Sequence, residues 1–122
     1  MSVSVELPDG LVSALRSVQQ MAVLTGSGVS AESGVPTFRE AQIGLWSRFD
    51  PHELATPQAF RADPDLVWDW YDWRRKLVAN AEPNKAHVAL ATLQRKLPYF
   101  TLITQNVDGL HQMAGSQDVL EL

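Results

Sequence analysis

The chain has no cysteine, few basic residues and no long hydrophobic run. Without thiols, these 122 residues form no disulfide and no thiolate metal site, and the three histidines lie too far apart in sequence to suggest a metal site. Acidic residues outnumber basic ones by 14 to 10, so there is no basic field to bind a nucleic acid through its phosphates. No stretch approaches the roughly 18 consecutive apolar residues of a membrane span.

The first ten residues, MSVSVELPDG, lack the basic segment and apolar core of a secretory signal. Together with the absences above, this predicts a soluble, cytoplasmic chain that binds no metal, no nucleic acid and no membrane. Hydrophobic residues make up 45% of the chain, which is enough for one core, so we predict a single domain over residues 1–122.

Apolar patterning predicts the fold class. Two short apolar runs, Met21–Thr25 and Tyr99–Thr104, are typical of strands buried inside a parallel sheet, and VLEL at 119–122 begins a third strand. Helices are predicted at Leu11–Val18, Asp63–Ala79 and Lys85–Leu97, with short turns at Ser30–Ser33 and Pro51–Leu54. The alternation predicts an α/β protein, a partial Rossmann-like parallel sheet with flanking helices.

A glycine-rich segment follows the first predicted strand. Residues 26–31, GSGVSA, fit the G-x-G-x-x-A pattern, in which backbone amides approach a pyrophosphate at a helix N-terminus. A tight strand-to-helix turn would explain the same letters. A dehydrogenase-type unit should reach a second strand and an acid about 20 residues on. That window reads AQIGLWSRFD, which is not strand-like, so ESGVPTFRE instead suggests a loop that folds over its ligand.

A second polar cluster, TQNVDGLH at 104–111, ends the second predicted strand. Ligands of open α/β sheets bind beyond the carboxyl ends of strands, so this cluster and the glycine loop should line one crevice. Gln105, Asn106 and Asp108 supply amide and acid groups suited to a carboxamide and to sugar hydroxyls. An Asx-rich turn before a helix is the alternative explanation.

Taken together, GSGVSAESGVPTFRE, PNKAHVALATL and TQNVDGLHQMAGS resemble the sirtuin family of NAD-dependent protein-lysine deacylases. The resemblance implies NAD as cofactor, acylated lysine side chains of proteins as substrates, and Asn106 as a catalytic residue. It implies a cofactor site made of Gly26, Ser27, Gly28, Ser30, Ala31, Glu32, Pro36, Thr37, Phe38, Arg39, Trp46, Gln105, Asn106, Val107 and Asp108. Within that site, Phe38 would screen the reactive ribose and Asp108 would hold the nicotinamide amide.

The resemblance also implies parts that these residues lack. The family's catalytic base is a histidine in a His-Gly step directly after a strand such as VLEL, and four zinc-binding cysteines come later still. We therefore expect an incomplete domain, truncated before the catalytic histidine and the zinc module, with zinc bound only by the full-length protein. We expect the 122 residues alone to lack deacylase turnover and to self-associate through an exposed sheet edge. The alternative is a non-catalytic module that binds NAD or ADP-ribose.

A tyrosine and an arginine on the tryptophan-rich helix suggest an acyl preference. Tyr71 and Arg74 are three residues apart and share a helix face with Val67 and Val78. An arginine whose stem lies along apolar surface, beside a packed tyrosine, would explain the pair without a ligand. The Y-x-x-R spacing resembles the signature of sirtuins that accept acidic acyl-lysines such as succinyl and malonyl. The phenol and guanidinium would then bind the distal carboxylate.

Overall fold

The computed structural model describes residues 4–37 and 44–122. Three parallel strands form one sheet in the order β1 (Gln20–Thr25), β2 (Tyr99–Thr104) and β3 (Leu120–Glu121). The α-helices are α1 (Leu11–Ser17), α2 (Pro51–Leu54), α3 (Pro57–Ala62), α4 (Pro64–Ala79), α5 (Lys85–Lys96) and α6 (Leu110–Met113), and 3-10 helices span Ser27–Ser33 and Gly44–Arg48. The predicted α/β class is confirmed. None of the helices among the described residues is long and apolar enough to cross a membrane.

The register of the sheet brings the carboxyl ends of the strands to one edge. Thr25 of β1 lies beside Thr104 of β2, and Thr104 lies beside Glu121 of β3. Two backbone bonds continue the ladder past the strands, from the Gln105 amide to the Thr25 carbonyl and from the Leu122 amide to the Thr104 carbonyl. The glycine loop and the TQNVDGLH cluster therefore start side by side.

Among the described residues, the predicted burial of these strands is found on one face of the sheet only. Ala22, Leu24, Tyr99 and Thr101 share one face of the sheet and are exposed, with Leu24 at 62% and Tyr99 at 69%. The opposite face is half-buried or buried, because the described helices cover that side. Apolar runs without alternation are typical of strands that are covered on both faces of the sheet. Among the described residues, only one face of this sheet is covered.

Capping residues define where the longer helices begin. The Asp63 side chain accepts the Leu66 amide at 3.0 Å and Pro64 is the first residue of α4, as predicted. Helix α3 was not predicted, although Thr56 and Pro57 carry the same signal and the Thr56 hydroxyl accepts a hydrogen bond from the Ala59 amide at 3.1 Å. Proline occupies the first helical position of both α3 and α4, although only α4 was predicted from it.

Two apolar clusters hold the connection between β1 and α5 in place. Trp46, Leu54 and Trp70 form one cluster, with Phe49, Leu66 and Trp73 packed around them. Val35, Ala81 and Leu110 form the other and carry the end of the glycine loop against the residues that follow α4. Leu66, Trp70 and Trp73 therefore bury one side of α4, and their packing determines which face of α4 is turned toward the sheet edge.

Candidate functional site

A cavity of about 440 Å³ lies at the edge where the strands end. The described residues that line it are Ser27, Val35, Pro36, Tyr71, Arg74, Arg75, Val78, Ala79, Gln105, Asn106, Val107 and Asp108. The glycine loop, the residues after β2 and one face of α4 therefore meet at a single space. Eight of the residues singled out from the sequence are among them: Ser27, Pro36, Tyr71, Arg74, Gln105, Asn106, Val107 and Asp108.

Ser30 is a fully buried hydrogen-bonding centre beneath this cavity. Its Oγ lies 2.6 Å from Asp108 Oδ2, 3.3 Å from His87 Nε2 and 3.3 Å from Asn106 Nδ2. A hydroxyl has one proton to donate and two lone pairs with which to accept. Ser30 therefore donates to the Asp108 carboxylate and accepts from the other two, which uses all of its hydrogen-bonding capacity.

The tautomer of His87 follows from its second nitrogen. Its Nδ1 accepts the backbone amide of Asn84 at 3.1 Å, so the neutral ring carries its proton on Nε2 and donates to Ser30. The same bond is half of the capping box of α5, whose other half is the bond from the His87 backbone amide to the Asn84 side chain. The Asn84 side chain also accepts a hydrogen bond from the Ala86 amide at 2.9 Å. One imidazole thus joins the start of α5 to the glycine loop.

Asn106 and Asp108 are fixed by bonds on both sides. Asn106 Nδ2 also donates to the Gly26 carbonyl at 3.0 Å, and its backbone amide donates to Thr104 Oγ1 at 3.1 Å. Asp108 Oδ1 accepts the Leu110 amide at 3.0 Å, which leaves its Oδ2 to Ser30. Both side chains line the cavity in defined orientations before any ligand is considered.

Tyr71 and Arg74 face the same cavity from α4, as predicted from their spacing. The half-buried Arg74 guanidinium lies 5.1 Å from the centre of the Trp70 ring, and its Nη2 donates to the Pro36 carbonyl at 3.4 Å. Burial lowers the pKa of Arg74, whereas the nearby Tyr71 raises it. The guanidinium remains protonated at neutral pH, because no protein environment brings it to deprotonation there. The cavity therefore has one cationic wall.

The remaining predicted cofactor residues lie elsewhere among the described residues or outside them. Gly26, Gly28, Ala31, Glu32 and Thr37 belong to the loop beside the cavity and are not among its described lining residues. Trp46 is buried and stacks at a tilt against Phe49 and Trp73, 5.7 and 6.0 Å away. Phe38 and Arg39 lie outside the described residues. Cofactor contacts by these residues stay predictions.

Sequence reasoning missed several residues of the site. Arg75, Val35 and Ala79 line the cavity and were not singled out, whereas Val78 had been placed on the helix face of Tyr71 and Arg74. His87 was not among the predicted site residues. Its contact with Ser30, 57 residues away, had no signal in the sequence.

The glycine loop has the space that a phosphate group needs. A Cβ added at Gly26 or Gly28 would meet no atom within 4 Å, and neither glycine has a positive φ. Neither the packing nor the backbone of the described residues therefore requires glycine there, whereas close approach of a ligand to the backbone would require it. No group of three metal-ligating side chains is found in residues 4–37 and 44–122.

The two buried histidines predict acid sensitivity. Burial lowers the pKa of His87 and of His111, and the neighbouring His87 lowers that of His111 further. The unfolded chain then binds more protons, so stability is full above about pH 6.5 and falls as the pH drops below it, by up to about 2.7 kcal/mol per pH unit for two protons. Urea titrations at pH 7.5, 6.5 and 5.5 measure this. A His111→Gln variant should lose part of the dependence, an exposed His52→Gln control should keep it, and a flat wild-type profile would contradict the expectation.

The structure defines a Rossmann-like α/β protein whose glycine loop, polar strand ends and one helix face enclose a common cavity. The chain belongs to the Sir2 family, whose family model matches residues 26–122. A Methylococcus capsulatus relative named NAD-dependent protein deacylase is 56% identical over 117 residues, which cover 96% of this chain and 46% of the relative. An Aquifex aeolicus relative of the same name is 61% identical over 99 residues, 81% of this chain and 41% of the relative.

The solved structures agree with the family assignment. A crystal structure described as a Sir2 homolog–NAD complex matches with a TM-score of 0.85 at 52% identity, covering 96% of this chain and 45% of that chain. This likeness confirms the Rossmann-like expectation for the sheet and its helices. The chain spans about half the length of the curated relatives it matches.

Proposed function

We propose that the natural polypeptide containing this chain is an NAD-dependent protein-lysine deacylase of the cytoplasm that forms nicotinamide, O-acyl-ADP-ribose and free lysine. The observation that carries the proposal is the single cavity in which Ser27, Asn106, Asp108 and Arg74 meet. Relatives at 56% and 61% identity bear the deacylase name. A cavity lined by apolar groups with a few convergent polar ones is typical of a small-molecule site.

The residues at the glycine loop fit the phosphates of NAD. The backbone amides of Gly26 to Ala31 would bind the pyrophosphate, since the space at Gly26 and Gly28 is open. Gln105 and Asn106 would hold the ribose next to nicotinamide, and Asp108 would accept a hydrogen bond from the nicotinamide amide. When bound, NAD supplies a ribose carbon that is activated by nicotinamide as its leaving group.

The segment from Glu32 to Arg39 would cover the bound cofactor. Pro36 already lines the cavity, and its carbonyl accepts from Arg74 across from α4. Within this segment Glu32, Thr37, Phe38 and Arg39 are proposed cofactor contacts on the family resemblance, as are Trp46 and Val107. Closing such a segment would keep water away from the reacting ribose and so limit unproductive hydrolysis of NAD.

The protein's own part in the chemistry is orientation. Asn106 and Asp108 are held by Ser30, Thr104 and the Gly26 carbonyl, so they would meet the ribose and the leaving group in fixed positions. A reaction that needs no strong protein nucleophile gains most from holding its reactants in place. For this reason we assign Asn106 the catalytic role on this chain.

Tyr71 and Arg74 would receive the distal end of the acyl group. A cation inside a mostly apolar cavity favours an acyl chain that ends in a carboxylate, such as succinyl or malonyl on lysine. The substrates would be acylated lysine side chains of proteins, with acidic acyl groups preferred over acetyl. Zinc would be bound by the full-length protein outside these residues, as the family resemblance implies, and self-association through the sheet edge stays a prediction.

A non-catalytic module for NAD or ADP-ribose is the second candidate. The observation in its favour is that no histidine is among the described residues lining the cavity. His87 and His111 are buried beneath it with exposures of 0% and 1%. Neither can serve as the general base that the deacylation chemistry requires.

One comparison tests the proposal and separates the two candidates. The natural polypeptide, mixed with NAD and a succinyl-lysine or acetyl-lysine peptide, is expected to release nicotinamide and O-acyl-ADP-ribose, detected by mass spectrometry. The 122-residue chain is expected to give no turnover, because these residues lack a base at the cavity. Binding of NAD by the natural polypeptide without product would support the binding module instead. Turnover by the purified 122-residue chain would contradict the assignment of the missing base.

A further inference from the structure

His111 lies in the first turn of α6 and is 1% exposed, and its side chain forms a hydrogen bond with a residue of β1. Its Nε2 lies 2.8 Å from Oγ1 of Thr25, 86 residues earlier, at the carboxyl end of β1. The Thr25 hydroxyl donates to Thr104 Oγ1 at 2.9 Å, and Thr104 Oγ1 accepts the backbone amide of Asn106 at 3.1 Å. A continuous line of hydrogen bonds therefore runs from the imidazole to the backbone of the proposed catalytic residue.

The direction of these bonds fixes the state of the imidazole. Since Thr25 gives its proton to Thr104, it accepts from His111, whose Nε2 must carry a proton. His111 Nδ1 is buried and has no partner among the described residues. It is then a bare acceptor in the neutral ring, and it would become a buried N–H without an acceptor if the ring were protonated. An orphaned buried N–H is the rarer and costlier of the two.

A second line reaches the side chain of the same asparagine. His87 donates to Ser30, and Ser30 accepts Asn106 Nδ2. The two imidazoles touch, with ring centres 4.9 Å apart and planes at 64°. The backbone of Asn106 is thus held through His111, and its side chain is held through His87.

We propose that neutral His111 is a positioning residue for Asn106, acting through the hydroxyls of Thr25 and Thr104 at the ends of β1 and β2. The consequence for the reaction rests on the proposed function. The titratable groups that face His111 are His87 of α5 and Asp108 of the loop before α6. Its other polar neighbours on the sheet are neutral threonines. Protonation would put a cation against His87 and leave the new N–H at Nδ1 buried without an acceptor among the described residues.

Two variants of the natural polypeptide separate positioning from packing. His111→Gln keeps an N–H donor at a similar reach, whereas His111→Leu keeps volume and removes the donor. We expect kcat/KM for NAD to fall at least 30-fold in the leucine variant and to stay within about threefold in the glutamine variant at pH 7.5. KM for the acyl peptide should change less than threefold in both. Equal losses in the two variants would overturn the proposal.

The pH profile and one backbone amide give readouts that packing alone would not move. Between pH 8 and 5.5, the acid-side fall of kcat/KM should be shallower in His111→Gln than in wild type, because one titrating group is gone. Hydrogen exchange of the Asn106 amide should accelerate at least tenfold in His111→Leu, while the Gln105 amide, bonded to Thr25 O, stays protected. If the exchange rate of the Asn106 amide is unchanged in His111→Leu, the inference is overturned, whether or not the polypeptide has turnover. If the exchange rate changes but the polypeptide has no turnover, only the proposed function is contradicted.

Discussion

Replacing Asn106 with alanine is expected to lower kcat of the natural polypeptide about 100-fold or more. Loss of one preorganised polar group at a reacting centre commonly has an effect of this size. The Asn106 amide is bonded to the Gly26 carbonyl and to Ser30, so alanine removes both the group that would meet the ribose and its link to the glycine loop. Steady-state deacylation with saturating NAD and peptide measures kcat directly.

A matched control removes the side-chain amide of an asparagine outside the cavity. Asn80 is exposed at the end of α4, and its amide donates to the Lys76 carbonyl at 2.9 Å. Asn80→Ala should keep kcat within about twofold of wild type. If Asn106→Ala also stays within threefold while its melting temperature matches that of wild type, the catalytic assignment of Asn106 is wrong.

The double variant Tyr71→Phe, Arg74→Met is expected to lose desuccinylation about 50-fold or more and to keep deacetylation within threefold. The phenol and guanidinium would make charge-assisted hydrogen bonds to the distal carboxylate, each with about 1.5–3 kcal/mol of stabilisation. Acetyl-lysine has no such carboxylate, so it loses nothing at that end. The measurement is the ratio of kcat/KM for succinyl-lysine and acetyl-lysine versions of one peptide.

A neighbouring cation provides the control for this variant. Lys76 is two residues further along α4 and pairs with Asp72 at 2.7 Å on the exposed side of the helix. Lys76→Met removes one positive charge from the same helix without touching the cavity, and it should leave the ratio unchanged. Equal loss of both activities in the double variant would mean that Tyr71 and Arg74 support the fold of the site rather than the recognition of the acyl group.

The sequence was most informative where local rules decide the structure. Asp63 and Pro64 mark the start of α4, and the apolar runs locate β1 and β2 to within a residue. Parallel strands bring their carboxyl ends together, so the joint cavity of the Gly26 loop and Asn106 followed from topology alone. The helical period was likewise sufficient to predict that Tyr71 and Arg74 lie on one wall of the cavity.

Contacts between distant segments could not be predicted in the same way. Ser30 meets His87 across 57 residues and Thr25 meets His111 across 86, and no local pattern encodes either pair. The burial of a strand also depends on which elements pack on each face of the sheet. The residue types of Leu24 and Tyr99 contain no information about that packing. The connection of His87 and His111 to Asn106 likewise became visible only in the structure.

His87 makes two hydrogen bonds at once, and both restrict which residue can replace it at the start of α5. At the third position of a helix, glutamate is the residue that best completes a capping box, and His87→Glu would keep an acceptor for the Asn84 amide. The same change would remove the donor to Ser30 and put a second carboxylate near Asp108. Because this position is fully buried, the unpaired carboxylate would cost more stability than the capping bond contributes, so a neutral imidazole that accepts on one nitrogen and donates on the other suits both contacts.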